Sequence, residues 1–203
     1  MMGMQDKVYI AGISCTKLGK RLDASVKQMV REAVDAALAD AGASVGDVDA
    51  AWFSNTRQPM LEGQNTVRGQ IALRPLGFES VPVVNIENAC ASGSSALIQA
   101  MAHLRAGMAD IALVVGAEKM VFPDRPEAMA AAFEGGTDIH DMEATKAFVR
   151  SLGGDADDES AGKRSIFMDL YAAQARAHMD RFGTTQEDFA AIAAKNHTHA
   201  QHN

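Results

Sequence analysis

The sequence predicts an α/β protein built on a mostly parallel sheet with helices on both faces. Short apolar segments rich in β-branched residues alternate with longer segments whose apolar residues recur every three to four positions. Apolar residues make up 47% of the 203 residues and charged residues 22%, which is typical of a globular chain. Alternating strands and helices favour right-handed crossovers, which make the strands parallel and leave both faces of the sheet to be covered.

The composition excludes several classes of function. A net charge of −7 and the lack of a basic stripe argue against binding to a nucleic-acid backbone. No apolar run approaches the roughly 20 residues that cross a bilayer, so we expect no membrane span. The segment from Met1 to Lys7 lacks the basic and apolar parts of a signal peptide, which favours a cytoplasmic protein. The sequence contains no nucleotide-binding glycine motif and no H-E-x-x-H motif.

The first elements are a strand and a helix. Val8 to Ile13 is predicted as a buried strand because it is rich in β-branched and aromatic residues. Apolar residues at helical spacing follow, with Asp23 or Ser25 available as N-cap and Gly42 as the stop signal. This segment is the best-defined helix in the sequence.

The sheet is predicted to continue through three more strands. Ala50 to Ser54 forms the second strand, and Asn55 to Pro59 a loop that leaves its carboxyl end. A helix from about Asn65 to Leu73 ends before Arg74-Pro75, because a residue that precedes proline disfavours helix. Two further strands are predicted at Val81 to Ile86 and at Ile111 to Ala117, joined by a helix from Ser92 to Ala106.

The pattern changes after Met120, where prolines interrupt it, so we divide the chain into an α/β domain at residues 1–121 and a mainly helical region at 122–203. Glu127 to Phe133 is predicted as a short helix, and the acidic, glycine-rich segment from Gly153 to Gly162 as a mobile surface loop without chemistry.

Two more helices are predicted near the end of the sequence. The first ends at Gly183, and its apolar face comprises Met168, Ala172, Ala175, Met179 and Phe182. The second begins at a capping box formed by Thr184 and Glu187, with Phe189 and Ile192 on one face.

Cys90 is the candidate catalytic residue, since it lies where a predicted strand turns into a helix. Free N–H groups and the positive end of the helix dipole favour a thiolate at such a position. A lone cysteine is more often a small buried apolar residue. Here, the small residues from Ala91 to Ser95 leave the sulfur uncovered, and Asn85, Glu87 and Asn88 make the strand end polar.

Other candidates have weaker support. His197, His199 and His202 lie close in sequence, but alternate residues on a helix point apart, so we expect a solvated helix end and no metal site. Cys15 is interpreted as structural. Glu118 and Lys119 are equally consistent with a contact to the catalytic loop or the dimer interface and with a simple ion pair at a strand end.

Two segments carry a resemblance to a known family. Asn85 to Leu97, with Cys90 near its centre, and Gly107 to Met120 resemble the thiolase superfamily, most closely its sterol-carrier-protein-type branch. The end of the sequence, Lys195 to Asn203, is similar to the end of the cap region in that branch. The resemblance covers nearly the whole chain and implies a thiolase-like fold with a helical cap.

The resemblance implies an acyl-CoA C-acyltransferase of the acetyl-CoA acetyltransferase type. In this reaction Cys90 takes the acyl group from a 3-oxoacyl-CoA and coenzyme A carries it away, or the reverse condensation takes place. The branch suggests bulky or sterol-side-chain acyl groups, with coenzyme A thioesters as substrates and no separate cofactor. Alternatives are a ketoacyl-synthase-like or hydroxymethylglutaryl-CoA-synthase-like condensing enzyme and a non-catalytic subunit of a complex.

The resemblance also implies partners and further parts of the fold. We expect a homodimer or tetramer in which Glu87 and Asn88 orient the Cys90 turn across the subunit boundary, and a small OB-fold acyl-CoA-binding protein is a further possible partner. The family fold places the last strand of the first half, and a second half with the general base and a second cysteine, outside these residues. We therefore expect a piece of a longer polypeptide or a subunit that needs a complementing chain, inactive by itself.

Overall fold

A computed structural model describes residues 7–156 and 165–203 of the chain. It confirms the α/β class, with a parallel sheet and many helices. The chain divides into two compact units, Met1–Phe122 and Pro123–Asn203. We describe each unit by itself.

The first unit contains three described strands, β1 (Ala50–Ser54), β2 (Val83–Ile86) and β3 (Ala112–Gly116). Their order in the sheet is β2-β1-β3, and both pairs are parallel. The pairing aligns Ser54 at the end of β1 with Ile86 on one side and Gly116 on the other. All three strands therefore end at the same level, on the same edge of the sheet.

The predicted strand from Val8 to Ile13 is wrong. This segment pairs with no strand among the described residues, and Tyr9 and Ile10 are 77% and 74% exposed. It contacts a helix instead: the Ile13 N–H donates to Asp40 Oδ2 at 2.9 Å. A β-rich composition favours a strand only where a neighbouring strand provides the ladder of hydrogen bonds.

Four helices lie in the described part of the first unit: α1 (Val26–Ala41), α2 (Gln58–Glu62), α3 (Arg68–Leu73) and α4 (Ser92–Arg105). The predicted ends of α1 are confirmed, since Ser25 forms a capping box with Gln28 and Gly42 adopts a left-handed conformation. The predicted loop from Asn55 to Pro59 is wrong beyond Arg57, because α2 begins at Gln58. Pro59 lies in its first turn, where the missing N–H costs no helical hydrogen bond.

Helices cover both faces of the sheet, as predicted. On one face, α1 and α3 enclose a core with Phe53 at its centre. On the other face, Ala96 and Ala100 of α4 pack against Trp52 of β1. All five residues of β1 are buried, since side chains alternate between the two faces and each face is covered.

The second unit is helical in its described residues, with α5 (Pro126–Glu134), α6 (Met142–Ser151), α7 (Ile166–Phe182) and α8 (Gln186–Ala200). The predicted short helix and the stop at Gly183 are confirmed. Most of the predicted loop from Gly153 to Gly162 lies outside the described residues.

Two details of this unit differ from the prediction. The capping box of α8 consists of Thr185 and Asp188, one residue later than expected. The buried stripe of α7 contains Asp169 and Ala173, whereas Met168 is exposed. Helix α6, which the sequence analysis did not predict, contributes Val149 to the cluster around Ala173 and thereby selects this stripe.

Within the described ranges, no helix is long and apolar enough to cross a membrane.

Gly69 provides a test of the packing between α3 and the sheet. A Cβ atom at this position would lie 2.6 Å from Phe53 Cβ and 2.9 Å from Val83 Cγ1. We expect Gly69→Ala to lower the free energy of unfolding by about 1–3 kcal/mol, because α3 must move away from the sheet. Urea denaturation measures this loss.

Gly46→Ala is the matched control, since the nearest atom to its added Cβ, Ser44 Oγ, lies 3.8 Å away. It should change the free energy of unfolding by no more than about 0.5 kcal/mol. Equal stability of the two variants would contradict the close approach of α3 to β1.

Candidate active site

The three aligned strand ends border one cavity. It has a volume of about 330 Å³ and is lined by Asn55, Thr56, Ala89, Cys90, Gly93 and Glu118, among others. These residues follow β1, β2 and β3, so each strand contributes one side of the cavity. Ligands of open parallel sheets commonly bind at the carboxyl ends of the strands.

Cys90 lies in the turn predicted for it. A short 3₁₀ turn, Ala89–Ala91, joins the end of β2 to α4, and Cys90 is its central residue. The side chain is exposed and forms part of the cavity wall. The structure thus places the sulfur where a ligand in the cavity would meet it. Its role as nucleophile stays a prediction.

The turn at Cys90 has an unusual backbone conformation. Ala89 has a φ of 45°, in the left-handed region that residues other than glycine rarely adopt. Such a residue persists only where its surroundings hold it. The Ala89 N–H donates to Glu87 Oε1 at 2.7 Å, and the Ala91 N–H donates to the Asn88 carbonyl at 2.9 Å. Glu87 therefore supports the turn within its own chain.

Ser92, the first residue of α4, also holds this turn. Its hydroxyl donates to the Ala89 carbonyl at 2.7 Å and accepts the Asn88 N–H at 2.8 Å. Thr56 Oγ1 lies 3.2 Å from Ser92 Oγ and 3.3 Å from the Ala89 carbonyl oxygen. The loop after β1 therefore contacts the Cys90 turn directly.

Asn55 connects this loop to its surroundings. Its side chain is buried, and its Nδ2 donates to the Ala117 carbonyl at 2.7 Å. Its Oδ1 accepts from Arg68 Nη1 at 3.0 Å and from the Gln58 N–H at 3.2 Å. One amide therefore joins the end of β3 to α2 and α3.

Glu118 fixes the same loop from the other side. Its carboxylate accepts the N–H groups of Thr56 and Arg57. Desolvation raises the pKa of Glu118, although these N–H donors and the charges of Arg57 and Arg68 oppose the shift. Glu118 thus contacts the loop that follows β1 and forms no described hydrogen bond with the Cys90 turn, so neither sequence-based interpretation is confirmed as stated. The Lys119 side chain has other partners, since its Nζ donates to the carbonyls of Leu22 and Ala24.

His103, the histidine of the first unit, does not line the cavity. His103 packs edge-to-face on Trp52, with ring centroids 5.1 Å apart. In the second unit, the rings of His178 and Phe182 pack together, with their centroids 4.6 Å apart. In the described part of the chain, no group of three or more potential ligand side chains is placed to hold a metal ion.

Sequence reasoning located Cys90 but missed Thr56 and Ser92 as parts of the site. Ser92 was noted only as a small neighbour of the sulfur. The Thr56 contact depends on the register of β1 against β2, which no local pattern in the sequence specifies.

Comparison with known proteins gives a consistent result. The family model "Thiolase, N-terminal domain" matches residues 8–203. The chain is 32% identical over 197 residues to an acetyl-CoA acetyltransferase of Methanothermobacter thermautotrophicus, covering 97% of this chain and 45% of that protein. It is 30% identical to sterol carrier protein 2 of Gallus gallus, covering 98% of this chain and 34% of that protein.

A third relative, benzoylsuccinyl-CoA thiolase subunit BbsB of Thauera aromatica, is 30% identical over 206 residues. This match covers 100% of the chain and 46% of that protein. The chain therefore spans between about a third and just under half of the length of these curated relatives.

The pKa of Glu118 leads to a prediction about pH. Because folding raises this pKa, the carboxyl stabilises the fold most below its unfolded pKa of about 4.3, and this contribution is lost as the pH rises through the folded pKa. A glutamine stays neutral throughout. We therefore expect the melting temperature of Glu118→Gln, relative to that of the parent protein, to be higher at pH 8 than at pH 4.

The measurement is thermal unfolding of both proteins at the two pH values. Glu62→Gln, at the exposed end of α2, serves as the control for losing one surface carboxylate. If the melting temperature of Glu118→Gln minus that of the parent stays constant or falls as the pH rises, this result would contradict the desolvation of the Glu118 carboxyl.

Proposed function

Since the chain belongs to the thiolase family, we propose that it carries the nucleophile of an acyl-CoA C-acyltransferase and that Cys90 is this nucleophile. One observation carries the proposal: an exposed cysteine lies at the turn from a strand to a helix, in the wall of a cavity at the carboxyl edge of the sheet. The positive end of the α4 dipole favours negative charge at this place.

The proposed reaction has two steps. A base takes the proton of Cys90, and the sulfur adds to the C3 carbonyl of a 3-oxoacyl-CoA, with the Cys90 N–H as a donor to the oxyanion. The C2–C3 bond breaks, and acetyl-CoA leaves after its carbanion takes a proton from an acid. The thiol of coenzyme A then attacks the acyl-cysteine and releases both the new acyl-CoA and Cys90. The reverse sequence gives condensation.

The family resemblance implies that the base, the acid and a second cysteine belong to a part of the fold outside residues 1–203. Coenzyme A is a co-substrate in this scheme, and no prosthetic group takes part. Bulky acyl groups, including sterol side chains, are the proposed substrate class, which the similarity to sterol carrier protein 2 supports.

We also propose that a second copy covers β2. In the described part of the sheet β2 is an edge strand, and Val84 on it is exposed. An apolar edge strand is a template for pairing, so proteins cover or charge it. Dimerisation of two such edges is the simplest cover.

A non-catalytic subunit is the second candidate function. The relative from Thauera aromatica is named as a subunit of a thiolase, which favours a chain that acts together with a partner. In that case Cys90 would have no special reactivity. A small OB-fold acyl-CoA-binding protein is the partner proposed for such a complex.

The reactivity of the two cysteines separates the candidates. Both are exposed, so accessibility does not distinguish them and Cys15 is the matched control. In the full-length protein, we expect iodoacetamide to alkylate Cys90 much faster than Cys15, and Cys90→Ala to abolish acyl transfer with little loss of stability. Peptide mass spectrometry and an assay of 3-oxoacyl-CoA cleavage in the presence of coenzyme A measure these effects.

Cys15→Ala should keep full acyl transfer. Equal, slow labelling of both cysteines would favour the non-catalytic subunit. Acyl transfer at the parent rate by Cys90→Ala would disprove the assignment of the nucleophile.

Gly93 tests whether a ligand occupies the cavity. It lies in the first turn of α4, where its φ does not require glycine and an added Cβ would meet nothing within 4 Å. Alanine favours helix over glycine by at most about 1 kcal/mol. We expect Gly93→Ala to keep or raise stability but to slow acylation of Cys90, most strongly for branched acyl groups, because the methyl group enters the cavity.

Thermal unfolding and single-turnover acylation measure the two effects. Ser94→Ala is the control, since it also raises helix propensity in this turn but does not line the cavity. Unchanged acylation of Gly93→Ala with every acyl group would show that no ligand passes this position.

A further inference from the structure

The hydroxyl of Ser92 has an arrangement that capping of α4 does not explain. Ser92 is only 6% exposed, although the neighbouring residues Ala91 and Gly93 are exposed. The N-cap residue of α4 is Ala91, and its end has no side-chain cap. The Ser92 hydroxyl instead reaches backwards, to the N–H of Asn88 and the carbonyl of Ala89.

These two contacts lie on both sides of the strained residue. The Asn88 N–H lies before the strained φ torsion of Ala89, which is 45°, and the Ala89 carbonyl lies after it. A left-handed alanine is strained, because its Cβ atom crowds the backbone, and it relaxes to another conformation unless it is held. Cys90 is the next residue, so rotation of the backbone at Ala89 would redirect its sulfur.

Thr56, in the loop after β1, contacts the Ser92 hydroxyl and the Ala89 carbonyl. Its hydroxyl lies within hydrogen-bond distance of both Ser92 Oγ and the Ala89 carbonyl oxygen. Its backbone N–H donates to Glu118, which follows β3. A chain of hydrogen bonds therefore runs from Glu118 through Thr56 and Ser92 to the carbonyl that precedes Cys90.

We propose that Ser92 and Thr56 are positioning residues that keep the Cys90 sulfur in the orientation required for acylation. This inference rests on the proposed function. Neither residue needs to exchange a proton with the substrate. Their effect is to keep Ala89 left-handed, so that the sulfur and the Cys90 N–H act on the same carbonyl group.

The experiment compares two reactions of Cys90 in the full-length protein. Acylation by a 3-oxoacyl-CoA requires an oriented sulfur and an oxyanion donor, whereas alkylation by iodoacetamide requires only access and a thiolate. For Ser92→Ala and Thr56→Val we expect single-turnover acylation to fall by about tenfold or more, since small misplacements cost one to two orders of magnitude. Alkylation should change by less than about threefold. Thr56→Ser, which keeps the hydroxyl, should restore most of the acylation rate.

Ser94→Ala, exposed on the same helix, is the control and should acylate at the parent rate. Circular dichroism checks that each variant folds. If Ser92→Ala does not fold, the acylation rate of Thr56→Val tests the positioning role, because valine keeps the side-chain volume of threonine. Parent-like acylation in the folded variants, or equal losses in both reactions, would overturn the positioning role alone. A parent protein whose Cys90 alkylates but never acylates would overturn the proposed function as well.

Discussion

Parallel pairing on both sides of β1 ends three strands at one level, and each contact of the candidate site depends on this alignment. Ser54 lies beside Ile86 and Gly116, so the residues that follow them meet around one cavity. Gly116 permits this approach, because a Cβ atom there would lie 2.5 Å from Ser54 Oγ. A shift of one residue in either pair would separate Thr56 from Ser92 or from Glu118.

The core fixes that register through β1. Its side chains alternate between two apolar layers, with Phe53 facing α1 and α3 and Trp52 facing α4. A slip by one residue would exchange the two faces and place indole and phenyl rings in spaces shaped for the other. The burial of β1 on both faces is therefore the physical reason that Asn55 and Thr56 leave the sheet where they do.

The sequence allowed prediction of the elements with local signals and of the residue at the centre of the site. Helix α1 has a serine cap and a glycine stop, α7 ends at Gly183, and Cys90 occupies the turn expected for it. Features that depend on distant neighbours were not predictable. The segment from Val8 to Ile13 has the composition of a strand but lies along α1, and Thr56 reaches Ser92 only through the register of the sheet.

The amide of Asn55 makes the site sensitive to a chemical change that barely alters the shape of this side chain. Its nitrogen donates to the Ala117 carbonyl, while its oxygen accepts from Arg68. Deamidation to aspartate would replace that donor by a second negative oxygen, 2.7 Å from another acceptor, in a buried place. The contact with Arg68 would survive, but the end of β3 would be repelled from the loop after β1. Deamidation of this single side chain would therefore weaken the contact between two walls of the cavity and leave Cys90 chemically unchanged.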